Sequence, residues 1–471
     1  MLRDIMTESV TLALSLCIVI AAWVMAKRKD AMTKQIPIMD ASGNKMKELV
    51  GDTRIRRFSH GLSATYQKNQ EHWKAPDGNM GYFFHRLLGE CVGAQSGREW
   101  RNIRSLFDPI FTVPAVAQYI GPLREEIRTW LDTLPRHASA TGADPSSFAA
   151  EMPDRCASLP LKLVAMVLYG DALSDELFVH LLELSRLREE VGSNAFMTAR
   201  MISRLYAYLP TKANNQLNKY IVGFRNFNVQ ITMTAQQQTL ECPLSSIMRH
   251  VTSGNTISMQ QLLHTVDEIL FENLDVASSA LSYLLMNMAC DVAIQQEVRL
   301  EAEQLNDVVD ADSYLRRSDT FLELCCAESR RLCPSVWFTF CERSPHPKTI
   351  GGFLIPPNTD VTVDWRRISL ESPIWSRTLG REERIITGYD FFPRRYEHTS
   401  KTERRYSQVG YGPGVRKCLG QHFANLLMRL VLFEVVSRYR ISTTVRPWEL
   451  GFRRDKFVLT PMTHEIHFDR L

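Results

Sequence analysis

No Cys-x-x-Cys pair occurs in this chain, no Gly/Ser/Pro-rich linker interrupts it beyond about residue 60, and it contains no internal repeat or low-complexity tract. Each absence excludes something. Ten cysteines scattered from Cys17 to Cys418, without paired spacing or a matching histidine pattern, leave no structural zinc site. A disulfide framework is equally unexpected in a chain of 471 residues. The missing linker argues against several tethered domains. Charge of one sign is missing too: 56 Lys and Arg are interspersed with 52 Asp and Glu, a net charge of +4. That leaves no footprint for nucleic acid. With 45% hydrophobic and 23% charged residues the composition is globular, which excludes disordered and fibrous classes.

What is present begins with one apolar run. Val10 to Ala26 carries no charge, which meets the lower end of the roughly 17 to 25 residues that cross a bilayer. Lys27, Arg28 and Lys29 follow it, so the positive-inside rule places everything C-terminal in the cytosol. Asp4 and Glu8 make a poor n-region for a cleaved secretory peptide, and no small-residue cleavage site follows. Residues 1–30 therefore read as an uncleaved transmembrane signal anchor, 31–60 as a polar tether, and 61–471 as a single large catalytic domain.

That domain reads as mainly α with a small β region. Leu123, Ile127, Trp130, Leu131 and Leu134 recur at helical spacing behind Pro122, a residue suited to a first helical turn. Leu161 to Tyr169 ends on Gly170, and Ser174 with Asp175 and Glu176 opens a further leucine-rich helix. Strand signals are short and late: Phe353 to Ile355, Val361 to Val363, and candidates between Arg440 and Phe468.

The most informative stretch is Tyr411-Gly412-Pro413-Gly414-Val415-Arg416-Lys417-Cys418-Leu419-Gly420, followed by an apolar helical pattern through Val436. Gly412 and Gly414 let the backbone turn sharply, and amides directed at the Cys418 sulfur can stabilise a thiolate. Gly420 permits close packing against a flat macrocycle, Tyr411 can shield the ligand, and the Arg416 fork suits an acidic substituent. These residues resemble the haem-binding signature of the cytochrome P-450 family, F-x-x-G-x-R-x-C-x-G, with Tyr411 in place of Phe. The resemblance implies the cytochrome P-450 fold, haem b (iron protoporphyrin IX) as cofactor, Cys418 as the axial iron ligand and Arg416 beside a haem propionate.

Three further motifs stand in the family's order. Glu328-Ser329-Arg330-Arg331 is E-x-x-R, one helical turn apart on one face, in isolation no more than a surface ion pair. About sixty residues later comes Phe392-Pro393-Arg394-Arg395-Tyr396, similar to the family's P-E-R-F segment. The resemblance implies that Glu328, Arg331 and Arg395 lock into a buried network beneath the haem; Arg394 departs from the family's Glu. Trp100-Arg101-Asn102-Ile103-Arg104 matches W-x-x-x-R, implying that Trp100 and Arg104 reach the propionates, with Arg343 a further partner.

Phe271 to Leu281 resembles the family's long central helix. Asp275 matches its acid, but Val276 stands where a Thr hydroxyl helps deliver protons during oxygen activation, and Glu272-Asn273 replace a small pair. Glu272 lies one turn before Val276 on the same face. Either it projects into the pocket, where burial would raise its pKa and suit it to proton donation, or it turns aside into a salt bridge. Asp275 and Glu272 are thus the candidate catalytic residues. The resemblance implies a monooxygenase that oxidises a small lipophilic substrate with dioxygen and electrons from an NADPH-dependent cytochrome P-450 reductase. The loss of the Thr keeps ring formation, isomerisation or peroxide use as an alternative. A single-pass endoplasmic reticulum membrane protein with a cytosolic body, of the kind found in fungal secondary metabolism, completes the reading. Lys417, Arg429 and Arg438 are expected reductase contacts, residues 75–95 and 195–225 expected substrate loops, and Leu205 to Leu209 an expected bilayer contact.

Overall fold

The computed structural model describes residues 73–74, 81–135, 146–195, 206, 208–254, 256–304, 308–337, 339, 342–350, 353–359, 361, 363–379, 384–404, 407, 410–412, 414–453 and 458–471. The apolar run at Val10 to Ala26 and the tether lie outside them, as do Leu205 and Ala207 of the Leu205 to Leu209 patch. The chain divides into two compact units, one of Ser59–Pro345 with Asn358–Leu471, the other of Met1–Phe58 with His346–Pro357.

The larger unit is built mostly of helices, as the periodicity predicts. Helix Ile120–Thr133 buries Leu123, Ile127 and Leu131 completely, each a gain of about 1.5–3 kcal/mol over exposure. Helix Leu159–Tyr169 stops at Gly170, whose φ of 53° is open to glycine but strained for other residues. Helix Asp175–Ala195 follows. Helix Gln421–Arg438 carries the apolar pattern behind Cys418 and buries Leu430, Val431, Leu432, Val435 and Val436.

The described strands are β1 (Trp73–Lys74), β2 (Ser147–Met152), β3 (Glu342–Arg343), β4 (Lys348–Ile350), β5 (Phe353–Ile355), β6 (Arg377–Leu379), β7 (Arg384–Ile386), β8 (Tyr439–Ser442) and β9 (His464–Arg470). β2, β9 and β8 form an antiparallel sheet in that order, with Phe148 opposite Phe468 and their rings stacked at 5.1 Å. β1 pairs with β3, setting Trp73 opposite Arg343 and Lys74 opposite Glu342. In the smaller unit β4 and β5 form a hairpin. Of the strand expected over Val361 to Val363, the described residues show one bridge, Val361 to Glu342.

One continuous helix, Met259–Ala289, runs through the larger unit. It starts with a capping box: Ser258 Oγ accepts the Gln261 amide at 3.0 Å and Gln261 Oε1 accepts the Ser258 amide at 2.8 Å. It is the one described helix long and apolar enough to cross a membrane, and its second half is core, with Leu281, Leu284, Leu285 and Met288 fully buried. Between Asn273 and Ala277 it widens into a π-helical turn. Carbonyls loosened there are taken up by side chains: Asn273 Nδ2 donates to Ile269 O at 2.7 Å, and Ser278 Oγ donates to Leu274 O. Such turns concentrate at functional sites because they shift the helix face by a residue.

Candidate active site

A cavity of about 390 Å³ brings together the π-helical turn and the glycine loop. Glu268, Ile269, Glu272, Val276, Ala277 and Ala280 line it from the central helix; Cys418 lines it from the loop. Gly412 and Gly414 have φ of 74° and 70°, so the loop turns through backbone that a side chain would strain. The turn is closed by the Cys418 amide donating to Tyr411 O at 2.8 Å. Cys418 is accessible through the cavity it lines. Burial pushes its thiol up to about 12, with Glu272 and Glu268 adding to the rise and the Gly420 amide at its sulfur opposing it. Iron coordination is what would hold such a sulfur as thiolate.

Trp100, Arg104 and Arg416 gather on the same cavity. The Arg416 guanidinium lies 4.9 Å from the Trp100 ring centre and that of Arg104 5.7 Å. Arg416 Nη1 donates to Gln95 O at 2.7 Å; Arg104 Nη1 donates to Lys417 O at 2.8 Å, tying the Trp100 helix, Gly97–Phe107, to the loop. Two buried donors on this wall, Arg330 Nη1 and Trp365 Nε1, have no hydrogen-bond partner among the described residues. A sulfur donor, apolar walls, two guanidiniums around an indole and unsatisfied donors suit a flat apolar macrocycle that carries iron and acidic substituents.

Glu328, Arg331 and Arg395 meet in the interior, each at most 3% exposed. Arg331 Nε donates to Glu328 Oε2 at 2.8 Å and its Nη2 to Oε1 at 2.9 Å; Arg395 Nε donates to Oε1 at 2.8 Å.

The remaining expected site residues are placed differently. Arg343 is on β3, and strand alternation turns its neighbour Glu342, with cross-strand Lys74, to the cavity instead. Asp275 is half-buried, is absent from the cavity lining, and acts electrostatically on Arg188. Glu272 does face the cavity. Burial, then Glu268, raises its pKa to about 8, and Arg188 pulls it back. It is an exposed side chain on that wall, and among the described residues it has no ion pair or hydrogen bond. Arg429 is no surface contact: it is 7% exposed and paired with Glu323 at 3.4 Å. Two residues escape sequence reasoning. Glu268, one turn before Glu272, carries a signal in its i, i+4 spacing. Arg330, packed 5.5 Å from the Tyr411 ring and 2.9 Å from Glu323, carries none.

The cytochrome P-450 family model matches residues 65–468. The chain is 30% identical over 414 residues to the cytochrome P-450 monooxygenase PUL2 of Kluyveromyces lactis, covering 85% of this chain and 78% of that one. It is 30% identical to the monooxygenase lepD of Aspergillus flavus, covering 79% and 71%, and 31% identical to apdB of Emericella nidulans, covering 76% and 73%. A crystal structure of a cytochrome P-450 superposes with a TM-score of 0.68 at 16% identity, over 88% of this chain and 91% of that one, which speaks for the fold. By family model, relatives and fold together, the chain belongs to the cytochrome P-450 family and is a monooxygenase, an oxidoreductase that uses haem b.

Proposed function

We propose that the protein oxidises a small lipophilic substrate in fungal secondary metabolism, with Cys418 as the axial ligand of haem b, Trp100, Arg104 and Arg416 holding its propionates, and Glu272 as proton source. Haem b, when bound, supplies the redox centre at which dioxygen is reduced and one oxygen atom is transferred. Electrons would come from an NADPH-dependent reductase. Residues 1–30 would anchor the chain in the endoplasmic reticulum membrane, 31–60 tether it, and 61–471 form the haem domain. Tyr208 and Leu209, 80% and 52% exposed, support membrane contact.

The observation that carries the proton assignment is the unpartnered carboxyl of Glu272 beside Val276 on one cavity wall. Val276 has no proton to give. The next hydroxyls on the helix are engaged elsewhere: Ser278 Oγ with Leu274 O, Ser279 Oγ with Leu459 O. An acid raised to about 8 keeps its proton at neutral pH and can offer it to the cavity it lines.

Glu272→Gln should lower product formed per NADPH about a hundredfold, the scale of a lost general acid, while NADPH consumption continues. Because the acid form prevails below its pKa, wild-type coupling should fall as pH rises through about 8, and the variant should lose that dependence. Val276→Thr in the variant background should restore part of the coupling. Undiminished coupling in Glu272→Gln would dismiss the assignment. Product without atmospheric oxygen label would favour isomerisation, ring formation or peroxide use.

A further inference from the structure

Glu268 is a second carboxylate on the cavity wall, and the fold holds it in a fixed pose. Its Oε2 accepts the Gly93 amide at 3.0 Å. A Cβ at residue 93 would meet Glu268 Oε1 at 2.0 Å, so only glycine allows the carboxylate this close to the backbone. The charged side chains of the cavity wall fall into those that are ion-paired and those that are not. Lys74 pairs with Glu342 at 2.7 Å, Arg104 with Asp108 at 2.7 Å and Arg330 with Glu323 at 2.9 Å. Arg416 influences Glu268 electrostatically but gives its hydrogen bonds to the carbonyls of Gln95 and Gly93. Arg416, Lys417, Glu268 and Glu272 have no ion pair among the described residues.

We propose that Glu268 selects the substrate: the cavity takes a lipophilic molecule that carries a cationic nitrogen, and the Glu268 carboxylate is its counter-ion. The inference rests on the monooxygenase reading of this cavity and names the substrate class which that reading leaves open. Two acids four residues apart divide the work. Burial raises the pKa of Glu268, and the Gly93 amide donated to its carboxylate favours the charged form against that rise; Glu272, with no such donor among the described residues, keeps the proton. A half-buried carboxylate lacking a counter-ion carries a desolvation cost in the free protein, and a cationic ligand recovers part of it where a neutral one cannot. Further along the same helix, Val276, Ala277 and Ala280 give the cavity an apolar wall that accepts the lipophilic remainder.

The test is equilibrium dialysis of the haem-loaded full-length protein with two isosteric probes, 3-phenylpropyltrimethylammonium and 1-phenyl-4,4-dimethylpentane. A quaternary nitrogen has no lone pair and cannot ligate iron, so binding reports the pocket alone. The hydrocarbon is the more hydrophobic of the two, so partitioning alone would favour it. The cation should nonetheless bind about tenfold more tightly or better. That preference should vanish in Glu268→Gln, which keeps an acceptor for the Gly93 amide, and survive in part in Glu268→Asp. Tighter or equal binding of the hydrocarbon by the wild-type protein overturns the proposal whatever the variants do. So does a cation preference that persists in haem-loaded Glu268→Gln. Failure of the underlying reading shows elsewhere, as the lack of a red-shifted carbonyl band in the reduced protein.

Discussion

Replacing Cys418 by alanine is expected to abolish both the red-shifted ferrous carbonyl band and NADPH-dependent product formation, leaving a folded protein. The control that gives this result meaning is Cys333→Ala. Cys333 also lines the cavity, is buried, and has its thiol pushed up to about 12, as Cys418 does. Acidity therefore does not choose between the two; surroundings do. Cys333 closes the Glu328 helix, Phe321–Leu332, and its sulfur faces the Asn287 amide at 4.0 Å. Cys418 stands in a loop that two positive-φ glycines turn sharply, with the Gly420 amide at its sulfur and Arg104 and Arg416 on the same cavity. Donors to a thiolate stabilise it against reprotonation and moderate its push on the metal. Cys333→Ala should keep the carbonyl band, at the modest cost of a small buried thiol. A band that survives Cys418→Ala and disappears in Cys333→Ala would reverse the ligand assignment.

How far the sequence reads depends on the range over which each feature is determined. The glycine loop is local: three glycines, an arginine and a cysteine within ten residues carry their own turn, so the structure could be anticipated there. The helices that bury Leu123 and Leu161 are local too, since a 3.6-residue period is visible in the sequence. Long-range pairings are not. β2 pairs with β9 across more than three hundred residues, and nothing around Ser147 announces it. The face that Arg343 presents depends on a two-residue register between β3 and β1, and a slip of one would have exchanged it with Glu342. Arg429 looked like one more surface base because the sequence does not show that Glu323 and Arg317 O lie beside it. Glu268 is the instructive miss. Its spacing from Glu272 was visible, but its importance comes from Gly93, 175 residues away, whose missing side chain admits the carboxylate.

The buried network offers the sharpest contrast between neighbours in sequence. Glu328→Gln is expected to cost about 3–5 kcal/mol, the penalty for leaving two buried guanidiniums without their counter-charge. With an unfolding entropy near 2.1 cal/mol/K per residue, that lowers the melting temperature by about 3–5 °C. Glu328 Oε1 alone accepts from Arg331, Arg395 and the Phe392 amide, the last at 2.9 Å. Substituting the three charged residues together by apolar ones would not relieve the loss, although such exchanges are often neutral for isolated buried pairs. Here the arginines also satisfy the backbone: Arg331 donates to Ser369 O at 2.8 Å and Gly388 O at 2.6 Å, and Arg395 to Asp390 O at 2.6 Å, Thr387 O at 3.1 Å and Trp375 O. Removing them orphans carbonyls from three chain segments at once. Arg394, adjacent to Arg395 and in the same motif, is half exposed, its ion pairs with Glu397 and Glu297 lying at the surface. Arg394→Ala should cost less than about 1 kcal/mol. Thermal unfolding of the two variants side by side decides the matter: equal melting temperatures would mean that the Glu328 network is no stronger than a surface pair, and that its place in the fold is not what holds the Phe392 segment against the Glu328 helix.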